Sequence, residues 1–245
     1  MIFSAQSDGF TLVELAIGMI VIGLLVGGII KGQEVIRLAS LKSTYATAKS
    51  YTTSKLSFTD AYGGVPGDMS NPGIKLTGCT TLPTCVTTGG NDNGIIGQAD
   101  VPNWSVNDQS AVNTEPTQFW IQLLAARMVS GLSGENNDSW GGLYPASPKG
   151  GGFHVVHTLE TGNNRAQGHY LVLKTPIHGS ATPVNNDAVL TPGDMAYLER
   201  KFDDSEPGTG DIISDDNHER CWNLASRDFL ETSSLKTCLA AFRLQ

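Results

Sequence analysis

The sequence predicts an α+β protein in which a long N-terminal α-helix packs on a head built around an antiparallel β-sheet, with long disulfide-stapled loops. Three observations support this prediction. Residues 10–62 contain no proline and form an apolar run followed by an amphipathic one. Residues 153–157 and 169–174 are short runs typical of sheet strands. All four cysteines lie in the remaining residues, 63–245.

The run from Phe10 to Ile30 is apolar apart from one charged residue, Glu14. As an α-helix that rises about 1.5 Å per residue, it would reach about 30 Å, which is enough to cross the hydrocarbon core of a bilayer. A carboxylate costs roughly 2.5–3.5 kcal/mol at the centre of such a span and less towards its edge. Glu14 is therefore a candidate functional residue of this transmembrane segment, residues 10–30.

The helix is predicted to continue through an amphipathic half, residues 31–62, and to end at the sequence Gly63-Gly64-Val65-Pro66-Gly67-Asp68. One helix over residues 10–62 would be about 80 Å long, with its second half packed on the head. Gly23, Gly27 and Gly28 would let neighbouring helices approach closely. The face predicted to pack on the head comprises Ile36, Leu41, Tyr45, Ala48, Thr52, Leu56 and Tyr62, with Arg37, Lys42, Lys49 and Ser54 opposite.

The motif Gly9-Phe10-Thr11-Leu12-Val13-Glu14-Leu15, followed by an apolar helix, resembles the processing and assembly motif of type IV pilins and of type II secretion pseudopilins. The resemblance covers residues 9–62 and is much weaker beyond. It implies that residues 1–9 are a leader peptide, that a prepilin peptidase cuts after Gly9, and that Phe10 is then N-methylated. It also implies that the helix first anchors the subunit in the inner membrane and then forms the core of a filament.

Glu14 lies four residues after Phe10, the N-terminal residue that cleavage would create. In an apolar filament core, the Phe10 amine of a neighbouring subunit could pair with Glu14, and removing one partner of a buried pair costs about 3–5 kcal/mol. The alternative is an ordinary signal peptide or anchor. The apolar run is too long for an h-region, and Lys31-Gly32-Gln33-Glu34 is a poor small-residue cleavage site.

The predicted leader departs from the family pattern. Residues 1–9 carry Asp8 and no Lys or Arg, whereas family leaders usually have basic residues, which would also favour a cytoplasmic N-terminus. Either the leader is atypical or the true start codon lies upstream. The cleavage motif itself is unaffected by this difference.

The head, residues 63–245, is acidic, with eleven Lys and Arg against twenty Asp and Glu. This charge argues against nucleic acid as a partner, because phosphate contacts need cations. The head would lie in the periplasm or at the cell surface, where cysteines form disulfides. Of three possible connectivities we predict the local pairs, Cys79–Cys85 and Cys221–Cys238. Free thiols, long-range pairs and, less favourably, a zinc site are the alternatives.

No cofactor is required by this reading, and calcium is the one candidate. Gly90-Asn91-Asp92-Asn93-Gly94-Ile95-Ile96 resembles part of a calcium loop, in which alternating Asx oxygens suit a hard cation. The later bidentate acid of an EF-hand is missing at the required spacing. The alternative is an Asx-Gly turn that makes its own hydrogen bonds.

The rest of the head contains further predicted elements. Thr114 would cap a helix with Pro116 in its first turn, ending at Gly131, and its apolar face would comprise Phe119, Trp120, Leu123, Leu124 and Met128. A short helix would run from Thr191-Pro192-Gly193-Asp194 to Lys201. Residues 196–212 resemble a segment near the end of large pilin-like proteins, and Cys221 to Gln245 would close the head. Asp203-Asp204 and Asp215-Asp216 are interpreted as solvated turn charges.

The sequence gives no catalytic signature. There is no G-x-S-x-G elbow and no GK[ST] phosphate loop. His154 and His157 are three apart, which places them on opposite faces of a strand and makes them poor partners for one metal. We therefore predict no enzymatic activity.

We predict a pilin-like structural subunit, a minor pilin or pseudopilin by its size and loop content, of a type IV pilus or type II secretion pseudopilus. Its partners would be prepilin peptidase, other pilin subunits, the inner-membrane assembly platform and the lipid bilayer. It would cross the bacterial inner membrane once, with its head in the periplasm, before entering a filament. The alternatives are a major pilin of the same family, or a membrane-anchored periplasmic binding protein or enzyme that does not polymerise.

Overall fold

The computed structural model describes residues 11–86, 90–97, 113–135, 139–158, 167–175, 188–215 and 220–244. The chain divides into two compact units, Met1–Ser40 and Leu41–Gln245. Helix α1 spans Leu12–Tyr62, so the predicted long N-terminal helix and its end at Tyr62 are confirmed. The other elements of the described residues are α2 (Pro72–Lys75), a 3-10 turn (Thr77–Thr80), α3 (Glu115–Ala125), β1 (Gly152–Thr158), β2 (Gly168–Lys174), α4 (Pro192–Phe202), β3 (Ile212–Asp215) and β4 (Leu239–Leu244).

The four strands form one antiparallel sheet in the order β1-β2-β4-β3. Strands β1 and β2 are the two runs predicted from the sequence, and β4 lies between β2 and β3. The sheet is buried on both faces. One face carries Phe153, which pairs with Leu173 across the strands. The other face carries the apolar cluster of Val156, Tyr170, Val172, Ile213 and Ala241.

The C-terminal half of α1 packs on the sheet through aromatic side chains. The Tyr51 ring lies 4.9 Å from that of Trp120 in α3 and 5.6 Å from that of Phe153 in β1, both edge to face. Tyr45 stacks on Phe202 of α4 at 4.1 Å. Aromatic pairs of this geometry contribute about 0.5–1.5 kcal/mol beyond the area that they bury. The predicted α+β fold is therefore confirmed, with α1 as the helix that covers one face of the sheet.

The predicted packing face of α1 was partly wrong. Leu41, Ala48 and Thr52 are buried as expected, but Ile36 is 70% exposed and Leu56 is 50% exposed. Phe58, which was not on the predicted face, is fully buried. The buried residues of α1 are Leu41, Thr44, Ala48, Tyr51, Thr52 and Phe58. Their spacing is that of a helical face rotated from the predicted one.

Helix α4 (Pro192–Phe202) confirms the predicted short helix to Lys201 within one residue, whereas α3 follows its predicted start more closely than its predicted end. Thr114 is the N-cap residue of α3, but the helix ends at Ala125 rather than near Gly131. Arg127 has a left-handed φ of 57°, which ends the helical path earlier. Helix α4 begins with a reciprocal capping box between Thr191 and Asp194.

Two disulfides staple the head, Cys79–Cys85 and Cys221–Cys238. Both local pairs predicted from the sequence are therefore confirmed. The second disulfide joins the residue before β4 to the loop that follows β3, and Cys221 and Cys238 are fully buried. This disulfide therefore constrains the segment that leads into the central strand β4.

Candidate functional site

The first turn of α1 holds the candidate assembly residue, Glu14. Its Oε2 atom accepts hydrogen bonds from the backbone N–H of Thr11 at 2.9 Å and from the Thr11 hydroxyl at 2.8 Å. In return, the backbone N–H of Glu14 donates to Thr11 Oγ1 at 3.3 Å. Thr11 and Glu14 therefore cap the helix reciprocally. The predicted processing residues Gly9 and Phe10 lie outside the described residues.

The N-terminal half of α1 presents an apolar surface all round. Every residue from Thr11 to Ile30 is exposed except Gly18, which is half-buried. By length and composition, this is a helix that could cross a membrane. Around Gly23, Gly27 and Gly28, no atom lies within 4 Å of where a Cβ would be, so a second helix has room to approach there.

Three carboxylates, which we call the acidic cluster, come together where α4 ends. They belong to Glu199, Asp203 and Asp204, and one oxygen from each lies within 4.8 Å of the others. Glu199 is fully buried, and neither of its carboxylate oxygens has a hydrogen-bond partner among the residues that the structure describes. Burial, together with the charges of Asp203 and Asp204, raises the pKa of Glu199 to about 9.

The two aspartates of the acidic cluster are held in place by the loop that follows. Asp203 Oδ2 accepts the backbone N–H of Ile212 at 2.6 Å. Gly210 has φ +80°, and a Cβ at this position would collide with the Asp203 carboxylate. Asp204 accepts hydrogen bonds from the backbone of Glu206 at 2.9 Å and from the hydroxyl of Thr209 at 2.7 Å.

The interpretation of Asp203-Asp204 as solvated turn charges was therefore wrong for Asp203, which is half-buried, and right only in that Asp204 is exposed. Burial raises the pKa of Asp203, and the neighbouring charge of Asp204 raises it further. The sequence analysis missed Glu199 altogether. The available signal was the accumulation of acids at the C-terminal end of a helix, where the helix dipole favours cations. Asp215-Asp216 was also interpreted as a pair of solvated turn charges, and Asp216 lies outside the described residues.

The loop of Asn91, Asp92 and Asn93 folds as a set of local turns. The Asn91 side-chain oxygen accepts the N–H of Asn93 at 3.0 Å, and the Asn93 oxygen accepts the N–H of Ile95 at 2.8 Å. Asp92 accepts hydrogen bonds from the backbone and hydroxyl of Ser70. The Asn91–Asn93 and Asn93–Ile95 bonds are those of Asx turns, the alternative predicted from the sequence, whereas the bonds from Ser70 tie Asp92 to a distant turn. Calcium binding by this loop stays a prediction.

A buried carboxyl group, that of Asp68, also holds the loop of residues 91–94 in place. Asp68 is 2% exposed and accepts the backbone N–H groups of Asn91, Asn93 and Gly94, the last at 2.6 Å. The Asn91 amide donates to Glu115 at 2.9 Å. The Asp68 carboxyl group is therefore the buried hydrogen-bond acceptor around which the loop folds.

The histidines occupy opposite faces of the sheet, as predicted from their spacing. His154 stacks on Tyr144 at 4.4 Å, whereas His157 lies 4.8 Å from His169, its cross-strand partner on β2. His169 Nε2 accepts the backbone N–H of Ile96 at 3.0 Å. Burial, with the charges of Lys55 and His157, lowers the pKa of His169 to about 3. His154 therefore lies on one face of the sheet, and His157 and His169 lie together on the other. His169 serves there as a neutral hydrogen-bond acceptor.

No family model, curated protein or solved structure matches this chain. Evidence for the function of this chain therefore comes from its own residues. Its strongest elements are the sequence from Gly9 to Leu15, the exposed apolar half of α1, and the disulfide-stapled α+β head.

Proposed function

We propose that this chain is a pilin-like structural subunit of a type IV pilus or of a type II secretion pseudopilus. The observation that carries the proposal is a single carboxylate, Glu14, in the first turn of a 51-residue helix whose residues 12–30 are otherwise uncharged and largely exposed. A membrane anchor would not need this charge, because an uncharged residue such as Gln could cap the helix while a charge in an apolar span is costly. A subunit that must set its register against a neighbour gains a specific ionic contact.

The proposed assembly contact joins Glu14 to the Phe10 amine of the next subunit. Prepilin peptidase would cut after Gly9, and the new terminus would be N-methylated. Both hydrogen bonds that Thr11 donates go to Glu14 Oε2, so within the described residues Oε1 remains open to an incoming cation. In an apolar filament core such a pair would be strongly selective for correct register, because an unpaired buried charge costs about 3–5 kcal/mol.

The route of the protein follows from the two parts of the chain. Residues 10–30 would hold the subunit in the bacterial inner membrane, with the head in the periplasm. The assembly platform would then move the helix from lipid into the filament. Two disulfides in the head suit an oxidising compartment on that route. The long loops of the head favour a minor subunit over a major one of the same family.

Mass spectrometry of the membrane form tests the processing step. We expect the mature protein to begin with N-methyl-Phe10 in cells that have prepilin peptidase and to remain uncleaved in cells that lack it. The assembly step is tested by the presence of the wild-type chain in sheared or affinity-purified filaments. An uncleaved N-terminus in peptidase-positive cells would contradict the proposal. A processed subunit that never enters a fibre, with its partner genes expressed, would favour a membrane-anchored periplasmic protein instead.

A further inference from the structure

The acidic cluster has a property that ordinary surface acids lack. Its innermost member, Glu199, is fully buried, and both of its carboxylate oxygens lack a hydrogen-bond partner within the described ranges. A buried carboxyl group ionises only at a high free-energy cost unless it is paired or binds a metal. Asp203 and Asp204 bring two more carboxylates within 4.8 Å, which adds negative charge instead of compensating it.

The position of the acidic cluster makes this accumulation of charge more unfavourable. It lies at the C-terminal end of α4, where the helix dipole already contributes partial negative charge. Three cations of the chain pair with other acids. Arg200 pairs with Glu231, Lys49 of α1 lies 3.3 Å from Asp211, and Arg227 lies 3.1 Å from Glu206. In the described part of the chain, no side-chain cation forms an ion pair with the three clustered acids.

The donor atoms of the cluster define the chemistry of a ligand that would compensate this charge. Three carboxylates present only oxygen, which hard divalent cations prefer and which thiolate- or imidazole-binding metals do not. Calcium takes six to eight oxygens in flexible geometry, whereas magnesium requires a near-ideal octahedron. Glu199 can offer both of its oxygens, and the aspartate oxygens that already accept hydrogen bonds keep further lone pairs for a metal.

We propose that the acidic cluster is a calcium-binding site, in which Glu199 is the buried ligand and Asp203 and Asp204 complete a carboxylate set. The remaining positions would be taken by water or backbone oxygens. Because β3 begins at Ile212, whose N–H binds Asp203, the bound cation would fasten the end of α4 to the edge strand of the sheet. This inference concerns the head alone and does not depend on filament assembly.

The test uses the full chain purified in detergent micelles and stripped of metals with a chelator. Calcium chloride is then added, and the melting temperature is followed by far-UV circular dichroism, with calorimetric titration as the direct measure of binding. We expect a saturable rise in the melting temperature, because a ligand that binds only the folded state stabilises it. The expected Kd is on the order of 10⁻⁴–10⁻³ M, as for extracellular calcium modules. Sodium chloride at equal ionic strength should give no comparable rise, and magnesium chloride a smaller one.

Two variants assign the response to the acidic cluster. Glu199→Gln keeps the shape of the side chain but cannot ionise and offers one oxygen instead of two. The variant should therefore fold in chelator at least as stably as the wild type and bind calcium at least about tenfold more weakly. Asp204→Asn should also weaken calcium binding. Because Asp204 is exposed, this variant still tests the site if the buried substitution prevents folding. Asp60→Asn removes an exposed carboxylate of α1 outside both candidate sites, so it is the matched control and should bind calcium like the wild type. Asp92→Asn reports any calcium that binds in the loop of residues 91–93.

Three results would overturn the proposal. The first is a wild-type chain whose melting temperature and calorimetric titration show no calcium binding. The second is an unchanged calcium response in both Glu199→Gln and Asp204→Asn. The third is loss of the response in Asp92→Asn alone, which would place the ion in the loop of residues 91–93. A larger shift with magnesium than with calcium would overturn the choice of calcium.

Discussion

Thr11 and Glu14 are bound to each other in the first turn of α1 by hydrogen bonds that run in both directions. Glu14 therefore has a local role as a helix cap before any neighbouring subunit is considered. A substitution that removes the whole side chain would remove the cap and the charge together. Tests of Glu14 need variants that separate the two effects.

The first prediction separates them. Glu14→Gln keeps an oxygen that can accept the Thr11 hydrogen bonds but removes the negative charge. Under the proposed function it should insert in the membrane and be processed at Gly9, yet be strongly depleted from filaments. Thr11→Val keeps the charge and removes the hydroxyl, at a cost of about 1 kcal/mol of helix stability, and should still assemble. The measurement is the fraction of each subunit in sheared filaments. Equal incorporation of Glu14→Gln and wild type would refute the pairing with Phe10.

The second prediction tests which face of α1 packs on the head. Phe58 is fully buried beside Tyr62, with 4.8 Å between the rings, whereas Leu56, two residues earlier, is half exposed. Phe58→Ala should lower the free energy of unfolding by about 3–5 kcal/mol. Leu56→Ala should change it by about 0.5 kcal/mol or less. Urea unfolding of the detergent-solubilised chain measures both, and a larger loss for Leu56→Ala would support the face predicted from the sequence.

The difference between the predicted and observed faces of α1 has a physical cause. Tyr, Thr and Ala recur on more than one side of residues 41–62, so hydrophobic periodicity alone allows neighbouring rotations of the helix. The rotation is decided by distant partners. Tyr51 fits between Trp120 and Phe153, which lie about 70 and 100 residues away in the chain. The length of the helix and its end at Tyr62 depend on local signals and could be predicted.

Strands β3 and β4 were not predicted for a related reason. The β4 sequence from Leu239 to Leu244 contains two adjacent alanines, which favour helix by intrinsic propensity. It forms a strand because it lies between β2 and β3 and is buried with them. Such tertiary context regularly overrides propensity in sheets. The acidic cluster was also not predicted, because no local sequence pattern reveals that Glu199 is buried. Glu14, by contrast, was identifiable as a lone charge in an apolar run.

The third prediction compares the two disulfides. In the chain-entropy model the stabilisation grows with the size of the closed loop. Cys221–Cys238 spans 17 residues and Cys79–Cys85 spans 6. Replacing both cysteines of the longer loop by alanine should cost about 3 kcal/mol, against about 2 kcal/mol for the shorter loop. Chemical unfolding of the two double variants measures the order, and a greater loss for the Cys79 and Cys85 pair would contradict it.

The last prediction concerns the pH dependence of stability that His169 imposes. His169 accepts the N–H of Ile96 through Nε2, and it lies beside His157 and Lys55, so a proton on this ring would remove the acceptor and add a cation next to two basic groups. The pKa of His169 is lowered from 6.5 to about 3 on folding. Between these values the unfolded chain binds more protons than the folded one, so stability is complete above pH 6.5 and falls as the pH falls towards 3.

The slope attributable to His169 should approach 1.4 kcal/mol per pH unit at most. His169→Gln provides the control, because its side-chain oxygen can still accept the Ile96 N–H and does not titrate in this range. The free energy of unfolding, measured between about pH 7 and about pH 5, should fall more steeply for the wild type than for the variant. Titrating groups far from the ring affect both proteins alike, so the difference between the two curves reports His169 together with its coupling to His157 and Lys55. Parallel curves would show that the ring is protonated equally in the folded and unfolded chains, and that the buried acceptor role is wrong.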